Sequence, residues 1–595
     1  MVMGRIGRPR TICAAALMAV LVWPGGPLIV LAWSLHSAAG TTAQVMRERT
    51  AAEAALVASA SDGFTVRAVS AQLTQLNREL GRAAWALGWL GGQRSGSVMG
   101  PEEGSVTAAV RGAALLARAA AEVWRVRVEG SVLGPRGIRA ALDALPAGAA
   151  GIQDVRQAAR SLPVPQAWRR ALAGAAPLVG RLAAMRRPLA AALGFPRPAR
   201  YLVLFQDGAE LRATGGLLVA YGWLTMDQGR AALRYGGGIL PLSRRATAQV
   251  PAGSVLHHFF GESTLSLLNA NDRLGGPAST AAILRLYRSV PEAPPVVGVV
   301  LVNSWWIAGL FGLSGPVAVP SPQGRVVLTT ATAPRQLEQL AERDQVPGLP
   351  RMAFLGPVVD ALAARLMPHG VPSAALLGAV CVGVQSGGVL WEPDGSGLAR
   401  LVGSLGWSGA LWPPPAHDNY LMLVNQNFGG LKDNLYLTQQ MQVTVAGRRE
   451  QMRLALTLPH RVTTQTTWLL GSYEGYVSVV VPRGTRLVRA TGFVSPVVVG
   501  SQTAPPATVV GGAVTVPVHL GAPSSAAAVS LTLQLPSTVA PDAPLVVQAQ
   551  PGWRPGSTGF RITVGRYSVH WQDPRGAVLA HASAHRLGLT PLGAP

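Results

Sequence analysis

The sequence contains almost no lysine. Lys432 is the only one, so arginine supplies nearly all of the 51 Lys+Arg residues, which outnumber the 28 Asp+Glu residues and give a formal net charge of +23. Such a charge favours anionic neighbours, namely lipid headgroups, phosphate-bearing wall polymers or nucleic acid. Nucleic acid is the least favoured, because the sequence has no zinc-finger spacing, aromatic RNA-binding signature or dense basic arm. Coding bias toward arginine is the explanation of the charge that we favour. If the basic surface does select a partner, we expect an anionic lipid or wall polymer and no nucleic acid.

Cysteine is also scarce. The two cysteines are Cys13 and Cys381, and Cys13 lies inside an apolar N-terminal segment where it cannot easily meet the other. This arrangement argues against a disulfide framework and against a cysteine-based metal site. Cys381 follows a run of small apolar residues, and we expect it to behave as a buried small hydrophobe.

Standard catalytic signatures are missing from the sequence. It has no G-x-S-x-G elbow, no H-E-x-x-H motif and no glycine-lysine phosphate loop. His257 and His258, with Glu262 nearby, resemble metal ligands, but adjacent histidines point in different directions on any regular element. We predict no metal site and no cofactor, and the sequence assigns no catalytic residue.

The N-terminal segment predicts a membrane anchor. No charged residue occurs from Ile12 to Leu35, a stretch long enough to cross a bilayer at about 1.5 Å per residue. Arginines within residues 1–10 favour an orientation with the N-terminus in the cytoplasm. We expect residues 1–40 to form a cytoplasmic tip and a transmembrane helix, so that the protein crosses the cell membrane once and its bulk is extracytoplasmic. Small residues at 37–39 leave cleavage of a signal peptide open.

The remaining sequence predicts a multidomain α+β protein. Alanine-, leucine- and arginine-rich periodicity over residues 41–199 predicts a helical stalk or bundle. Strand patterns mixed with helical ones predict an α/β domain over 200–415. Short strands separated by turn residues predict a β-sandwich over 416–595.

A second apolar run, Val296 to Phe311, competes with the N-terminal segment as a membrane span. It is interrupted by Asn303 and Ser304 and ends near Gly315. We interpret it as a buried strand followed by a helix that is capped near Asn303 or Ser304 and ended by the glycine. The chain is therefore expected to cross the membrane once.

A first group of polar residues occupies two loops. Glu210, Arg212, Gly215 and Gly216 form an expected turn between two strands. Arginine presents a fixed fork of donors to phosphate, and glycines let backbone N–H groups approach an anion. The structural interpretation, which we favour, is that the glycines adopt positive φ while Glu210 and Arg212 pair with each other or cap backbone groups. A second loop could complete the same anion-binding cleft with three residues: Asn271, Asp272 and Arg273.

A second polar group follows the first strand of the β-rich part. Asn425, Asn427 and Lys432 flank the glycine pair at 429–430. A strand end and glycine turn at a domain junction is the interpretation we favour. A ligand-facing role, with loop amides that bind sugars, is the alternative.

Four stretches resemble the bacterial family called domain of unknown function 4012. They are Tyr201–Gly216, Asn269–Ala281, Tyr420–Lys432 and Tyr476–Gly484. The resemblance covers roughly residues 200–565 and implies an N-terminal membrane segment joined to an extracytoplasmic body of unestablished role. Where the family usually carries an acidic, an aromatic and a proline residue, this chain has glycines at 275 and 276 before proline. That departure weakens a metal or acid/base role for the loop.

The order of strand and helix through residues 296–316 also looks similar to the LytR–CpsA–Psr family. Members of that family transfer lipid-pyrophosphate-linked polymers to the cell wall with clustered arginines, and a fold-level likeness does not fix chemistry. Two functions therefore remain open. The chain is expected to bind or organise an anionic wall or surface polymer without catalysis. The alternative is a glycopolymer transferase in which Arg212 and Arg273 grip the pyrophosphate, with Mg²⁺ needed under this alternative alone.

Overall fold

The structure is a computed structural model. It describes residues 135–160, 166–250, 254–342, 347–411, 419–446, 449–459, 472–500, 507–516, 524–540, 545–553, 558–564, 567–573, 578–583 and 586–591. These residues form a mixed α+β fold that includes eleven α-helices. They divide into two compact units, the first comprising the described residues up to Pro198 together with Met226–Arg230, and the second comprising the rest.

The first unit is helical. Its helices are α1 Pro135–Ala158, α2 Gln166–Ala184 and α3 Arg186–Ala192. Asp143 of α1 pairs with Arg139 one turn earlier and with Arg186 of α3. The predicted helical pattern is confirmed for this stretch, whereas residues 41–134 lie outside the described residues.

No helix within the described part of the chain has the length and apolarity needed to span a membrane. The expected transmembrane segment, residues 12–35, lies outside that part.

The second unit begins with an α/β domain. Its strands are β1 Ala199–Arg212, β2 Gly215–Asp227, β3 Arg230–Gly238, β4 Thr247–Gln249, β5 Thr264–Ser266, β6 Gly298–Asn303, β7 Val317–Ser321, β8 Gly324–Leu328 and β9 Val389–Pro393. Its helices are α4 Ile239–Arg245, α5 Val255–Phe260, α6 Gly276–Arg288, α7 Ser304–Ser314, α8 Ala333–Glu342, α9 Leu355–Leu366, α10 Ala374–Ser386 and α11 Ser396–Ser404.

The central sheet of this domain has the order β3-β2-β1-β6-β9, with β1 parallel to β6. Alternate residues of β1 enter two different cores. Leu202 and Leu204 pack with α4, α5 and α6, whereas Val203 and Phe205 pack with α7, α8 and α9. Because helices cover both faces, β1 is apolar at consecutive positions rather than at alternate ones.

The apolar run that competed as a membrane span lies in the core of the α/β domain, as the predicted strand followed by a helix. It forms β6 and then α7, and the Asn303 side chain caps that helix by accepting a hydrogen bond from the backbone N–H of Trp305. Gly315 follows the helix with a positive φ of 79°.

The C-terminal part of the second unit contains two larger sheets, of seven strands in the order β15-β16-β13-β10-β18-β21-β22 and of six in the order β14-β17-β12-β11-β19-β20. Their inward side chains share one hydrophobic core. The strands are β10 Asn419–Asn427, β11 Thr438–Ala446, β12 Arg449–Pro459, β13 Tyr473–Pro482, β14 Arg486–Thr491, β15 Val498–Val499, β16 Ala507–Val516, β17 Ser524–Gln534, β18 Leu545–Gln548, β19 Thr558–Val564, β20 Tyr567–Asp573, β21 Val578–Ser583 and β22 Arg586–Pro591.

Strand β10 joins the α/β domain to the two-sheet part, since both its faces are buried. Leu421 and Leu423 enter the core between the two sheets. Met422 and Val424 face the opposite way and pack with Ala213, which follows β1. The end of β1 therefore lies against β10.

Two local predictions were wrong. The polar stretch 208–216 was expected to be a turn, but β1 continues through Arg212 and the turn is only Ala213 and Thr214. The strand persists because its polar side chains find partners in the segment after β10, which a local pattern cannot reveal. Cys381 lies on α10 and is partly exposed rather than buried.

Candidate functional site

The predicted site residues gather where the second half of β1 meets the segment that follows β10. The backbone N–H of Leu211 donates to the side-chain oxygen of Asn434 at 3.1 Å. A 3₁₀ turn, Asp433–Leu435, holds Asn434 in place beside the strand. This contact brings the two polar groups of the sequence together.

Lys432, the only lysine, is buried with four carboxylates around its ammonium group. Its Nζ lies 2.5 Å from Asp207 Oδ2 and 2.6 Å from Glu210 Oε1. Two residues of α8 lie farther away, with Glu338 Oε2 at 3.6 Å and Glu342 Oε1 at 3.5 Å. The lysine side chain is 3% exposed, so these charges interact with little solvent screening.

Burial and charge shift the pKa values of the groups around Lys432 in different directions. Burial is the largest effect on Asp207 and raises its pKa, but the charge of Lys432 together with hydrogen bonds from Lys432, Glu338 and the Ala209 backbone lowers that pKa below its ordinary value. Burial raises the pKa of Glu338 well above its ordinary value, and the Asp207 charge raises it further. Burial opposes the charged form of Lys432, yet its carboxylate neighbours raise its pKa well above the ordinary value. The charged forms of Lys432 and Asp207 are therefore favoured, whereas burial and the neighbouring negative charges favour the uncharged form of Glu338.

Arg212, the strongest candidate for binding an anion, is bound to the protein itself. Its Nε donates to Asn269 Oδ1 at 2.9 Å, and its Nη1 donates to the backbone oxygens of Leu211 and Asn427. The guanidinium also stacks on the Phe428 ring, 4.7 Å from its centroid. Its expected pairing with Glu210 does not form, because that carboxylate binds Lys432 instead.

Amide side chains complete the junction. Asn427 Nδ2 donates to Asn434 Oδ1 at 3.0 Å. Gln550, which follows β18, donates to the backbone oxygens of Arg212 and Asn425 at 2.9 Å. The Tyr473 hydroxyl donates to Asn425 Oδ1. The predicted residues Asn425 and Asn427 therefore hold the junction together, in agreement with the structural interpretation.

Gly215 and Gly216 are required by close backbone packing. Gly215 has a positive φ of 138°, and a Cβ there would lie 2.3 Å from Gln206 Oε1. A Cβ on Gly216 would lie 1.8 Å from the backbone oxygen of Asp207. The pair thus lets β2 turn back closely against β1.

The loop that carries Asn271, Asp272 and Arg273 lies beside these glycines. Asn271 Nδ2 donates to the backbone oxygen of Gly216 at 2.7 Å. Burial raises the pKa of Asp272 to about 6, although the nearby charges of Arg273 and Arg212 oppose the rise. Arg273 is half-buried. The two loops therefore adjoin, as predicted, although their ligand-binding role stays a prediction.

The glycines that replace the family's acidic and aromatic residues also have a packing reason. A Cβ on Gly276 would lie 1.5 Å from the backbone oxygen of Ser408. The Gly276 N–H donates to the backbone oxygen of Gly409 at 2.9 Å. The segment after α11 therefore occupies the space that a larger side chain would need.

Sequence reasoning missed several residues of this network. Asp207 and Glu338 were overlooked, although Asp207 lies only three positions before Glu210 in the same motif. Glu338 lies on an amphipathic helix, where an acidic residue is usually solvated, so no local signal separates it from its neighbours. Asn434 and Gln550 are ordinary loop amides in the sequence, and only their partners identify them.

No group of three or more His, Cys, Asp or Glu side chains within the described residues is arranged to hold a metal ion. Four carboxylates do surround one point at the junction, but the Lys432 ammonium group already occupies the position where a cation would bind. Ser254 caps α5, since its Oγ accepts a hydrogen bond from the backbone N–H of His257.

Residues 197–340 match the family model described as "Protein of unknown function (DUF4012)". The match confirms the resemblance to the domain of unknown function 4012 family in this part of the chain. No curated protein sequence matches the chain. Among solved structures, the X-ray structure of the Lin1025 protein from Listeria innocua is similar at 13% identity, covering 36% of this chain and 99% of that one with a TM-score of 0.19.

Proposed function

We propose that this protein is a single-pass envelope protein whose extracytoplasmic body binds or organises an anionic wall or surface polymer without a chemical step of its own. The observation that carries the proposal is the unequal burial of charge. Among the described residues, the buried basic side chains are Arg212 and Lys432. The buried acidic side chains are Asp207, Glu210, Asp272, Glu338, Asp433 and Glu450.

Because more acidic than basic side chains are buried, the accessible surface of the described part is more basic than its overall composition would indicate. Acids that would neutralise surface arginines are withdrawn into the interior. A basic surface attracts polyanions and raises their local concentration. The two buried cations do not contribute to that attraction, because carboxylates and carbonyl oxygens of the protein already satisfy them.

Polymer binding is tested by sedimentation of the full-length protein, purified in neutral detergent, with an insoluble cell-wall fraction. The protein should sediment with the intact fraction and remain in solution after mild hydrolysis has removed the anionic polymers. Raising the salt concentration should release it, since salt screens exposed charges. Failure to sediment with the intact fraction at moderate salt contradicts the proposal.

The membrane anchor is a separate element of the proposal, motivated by the uncharged stretch Ile12 to Leu35. A reporter that is active only outside the cytoplasm, fused after the last residue, should be active, and the protein should fractionate with membranes. Release of the protein into the medium would indicate cleavage after residues 37–39. An inactive reporter contradicts the orientation.

Asp272 favours a second candidate function, the LytR–CpsA–Psr-like transferase. Its carboxyl group is buried near Arg212 and Arg273, and its Oδ1 accepts no hydrogen bond. Because Glu210 is bound to Lys432, Asp272 is the remaining acid of the motif that could hold Mg²⁺. Under this function, the purified chain should convert a lipid-pyrophosphate-linked oligosaccharide to lipid monophosphate when an acceptor glycan is present. Asp272→Asn should abolish the conversion. If the wild-type protein does not carry out the conversion, this function is rejected.

A further inference from the structure

The outer face of the six-stranded sheet concentrates arginine and glutamine. We call the exposed and half-buried outward positions of β14, β17, β12 and β11 the arginine face. Its polar members are Arg486, Arg489, Thr491, Ser530, Thr532, Gln534, Arg449, Gln451, Arg453, Thr457, Thr438, Gln440, Gln442 and Thr444.

Strand register places these side chains in rows across the sheet. In one row Arg486 pairs with Gln534, which pairs with Arg449. In another, Arg453 pairs with Gln442. Adjacent strands lie about 4.8 Å apart, so the backbones of Arg486 and Arg449 are separated by roughly 10 Å. Along β12, Arg449 and Arg453 are roughly 13 Å apart at about 3.3 Å per residue.

The arginine face has no acidic member. None of the described outward positions on the four strands is Asp or Glu, because Glu450 of β12 points inward and is buried. By contrast, two surface arginines of the α/β domain form ion pairs with acidic side chains. Arg245 pairs with Glu292, and Arg288 pairs with Asp394. The described outward positions of these four strands thus supply no acidic side chain to neutralise the arginine face, whereas several arginines elsewhere are paired.

We infer that the arginine face is the binding surface for a linear anionic glycopolymer. This inference rests on the proposed function and adds the place of binding to it. Guanidinium groups bind phosphate or carboxylate groups through paired hydrogen bonds, and glutamine amides bind sugar or polyol hydroxyls. Arginine backbones about 10 Å or more apart suit successive charged groups along a polymer better than one small ion.

The composition of the face argues against two other polyanions. An acidic membrane would be met by aromatic or large apolar side chains that insert among the headgroups. Val488, at the bulge of β14, is the one large apolar side chain that is highly exposed among the described positions of these strands. Single-stranded nucleic acid would be met by aromatic stacking platforms. None of the polar side chains of the arginine face is aromatic.

The test compares binding of the full-length protein to five probes. They are a glycerol phosphate polymer, polygalacturonate, neutral dextran, phosphatidylglycerol vesicles and a single-stranded oligonucleotide. The first two distinguish phosphate from carboxylate as the charged group. The test variant carries Arg449→Gln, Arg453→Gln, Arg486→Gln and Arg489→Gln. The control variant loses the same charge at exposed positions of the α/β domain, through Arg244→Gln, Arg285→Gln, Arg325→Gln and Arg400→Gln.

The test variant should bind the glycerol phosphate polymer or polygalacturonate at least about tenfold more weakly than wild type, with a shallower salt dependence. The control variant should stay within about twofold of wild type. Equal losses in both variants would show attraction by overall charge and overturn the inference. Unchanged binding by the test variant overturns the inference but leaves the proposed function standing.

Two further outcomes are decisive. If the wild type binds none of the anionic polymers, the proposed function fails and the inference fails with it. If loss of the four arginines weakens binding only to vesicles or to the oligonucleotide, the occupant is a membrane or a nucleic acid and the inference is wrong. Each variant should have the same thermal unfolding midpoint as the wild type, because the substitutions are at exposed positions and should leave the fold intact.

Discussion

Lys432 Nζ lies 2.5 Å from Asp207 Oδ2, although 225 positions separate the two residues. In a chain that otherwise uses arginine, the one lysine is buried at this ion pair. A compact ammonium group with three donors can meet several converging carboxylates, whereas a planar guanidinium needs more room and a different geometry. The single lysine is therefore explained by its position and not by the composition of the chain.

Replacing Lys432 tests this explanation. Lys432→Met should lower the free energy of unfolding by about 3–5 kcal/mol, because it leaves the carboxylates of Asp207 and Glu210 buried without a cation. The Lys432→Arg variant should also be less stable than wild type, because the planar guanidinium does not fit the space of the ammonium group. Denaturant unfolding of the full chain measures both, with Arg285→Met at an exposed position of α6 as the control, expected within about 0.5 kcal/mol of wild type. A loss below about 1 kcal/mol for Lys432→Met would show that the ion pair matters little.

Glu450 should make stability depend on pH. Burial raises its pKa from the ordinary value of 4.5 to about 8. The pKa of Glu450 is higher in the folded state than in the unfolded state, so the folded state holds the proton more tightly. The stability that this difference contributes is fully present below about pH 4.5 and is lost as the pH rises toward 8. Glu450→Gln should therefore gain about 1–3 kcal/mol relative to wild type between pH 4 and pH 8.

Thermal and denaturant unfolding across that pH range measure the Glu450 effect. Glu474→Gln, at an exposed position of β13, is the control and should follow the wild-type profile. Parallel pH profiles for wild type and Glu450→Gln would contradict the assignment.

Gly216 should not tolerate a side chain. Gly216→Ala places a Cβ 1.8 Å from the backbone oxygen of Asp207, so the hairpin of β1 and β2 must shift. We expect a loss of more than about 3 kcal/mol, seen as a lower thermal unfolding midpoint. Gly309→Ala in α7 is the matched control, because its Cβ meets no atom within 4 Å. That control should be stabilised by about 0.5–1 kcal/mol, as helix propensity predicts.

Arg212 separates the structural role from an anion-binding role. Arg212→Gln should lower the free energy of unfolding by about 2–4 kcal/mol, since Asn269 Oδ1 and the backbone oxygen of Asn427 lose their donor. Arg273→Gln removes the same charge from the neighbouring loop at a half-buried position and should cost less than about 1 kcal/mol. Equal stability of the two variants, with polymer binding or transfer lost only in Arg212→Gln, would favour the anion-binding role instead.

Several elements were predictable from local pattern alone. The continuous apolar run of β1, the N-cap at Asn303 and the glycine after α7 each carry a local physical signal. The pairing of Glu210 with Arg212 was the natural local expectation, because the two lie on one face of an extended strand. That pairing does not form, because Lys432 comes from a distant part of the chain and binds Glu210. Arg212 instead donates to backbone oxygens, which is the other form of the structural interpretation.

The sequence by itself determined the mixed α+β class, the match to a family over residues 197–340, and the presence of one lysine in a strongly basic chain. Tertiary structure alone decided that this lysine neutralises Asp207 and Glu210 instead of facing an anion, and that Arg212 is bound by the protein. It also decided that Arg449, Arg453, Arg486 and Arg489 share one face. The reason is physical: alternation along a strand fixes which residues point together, but not which distant segment or neighbouring strand lies beside them.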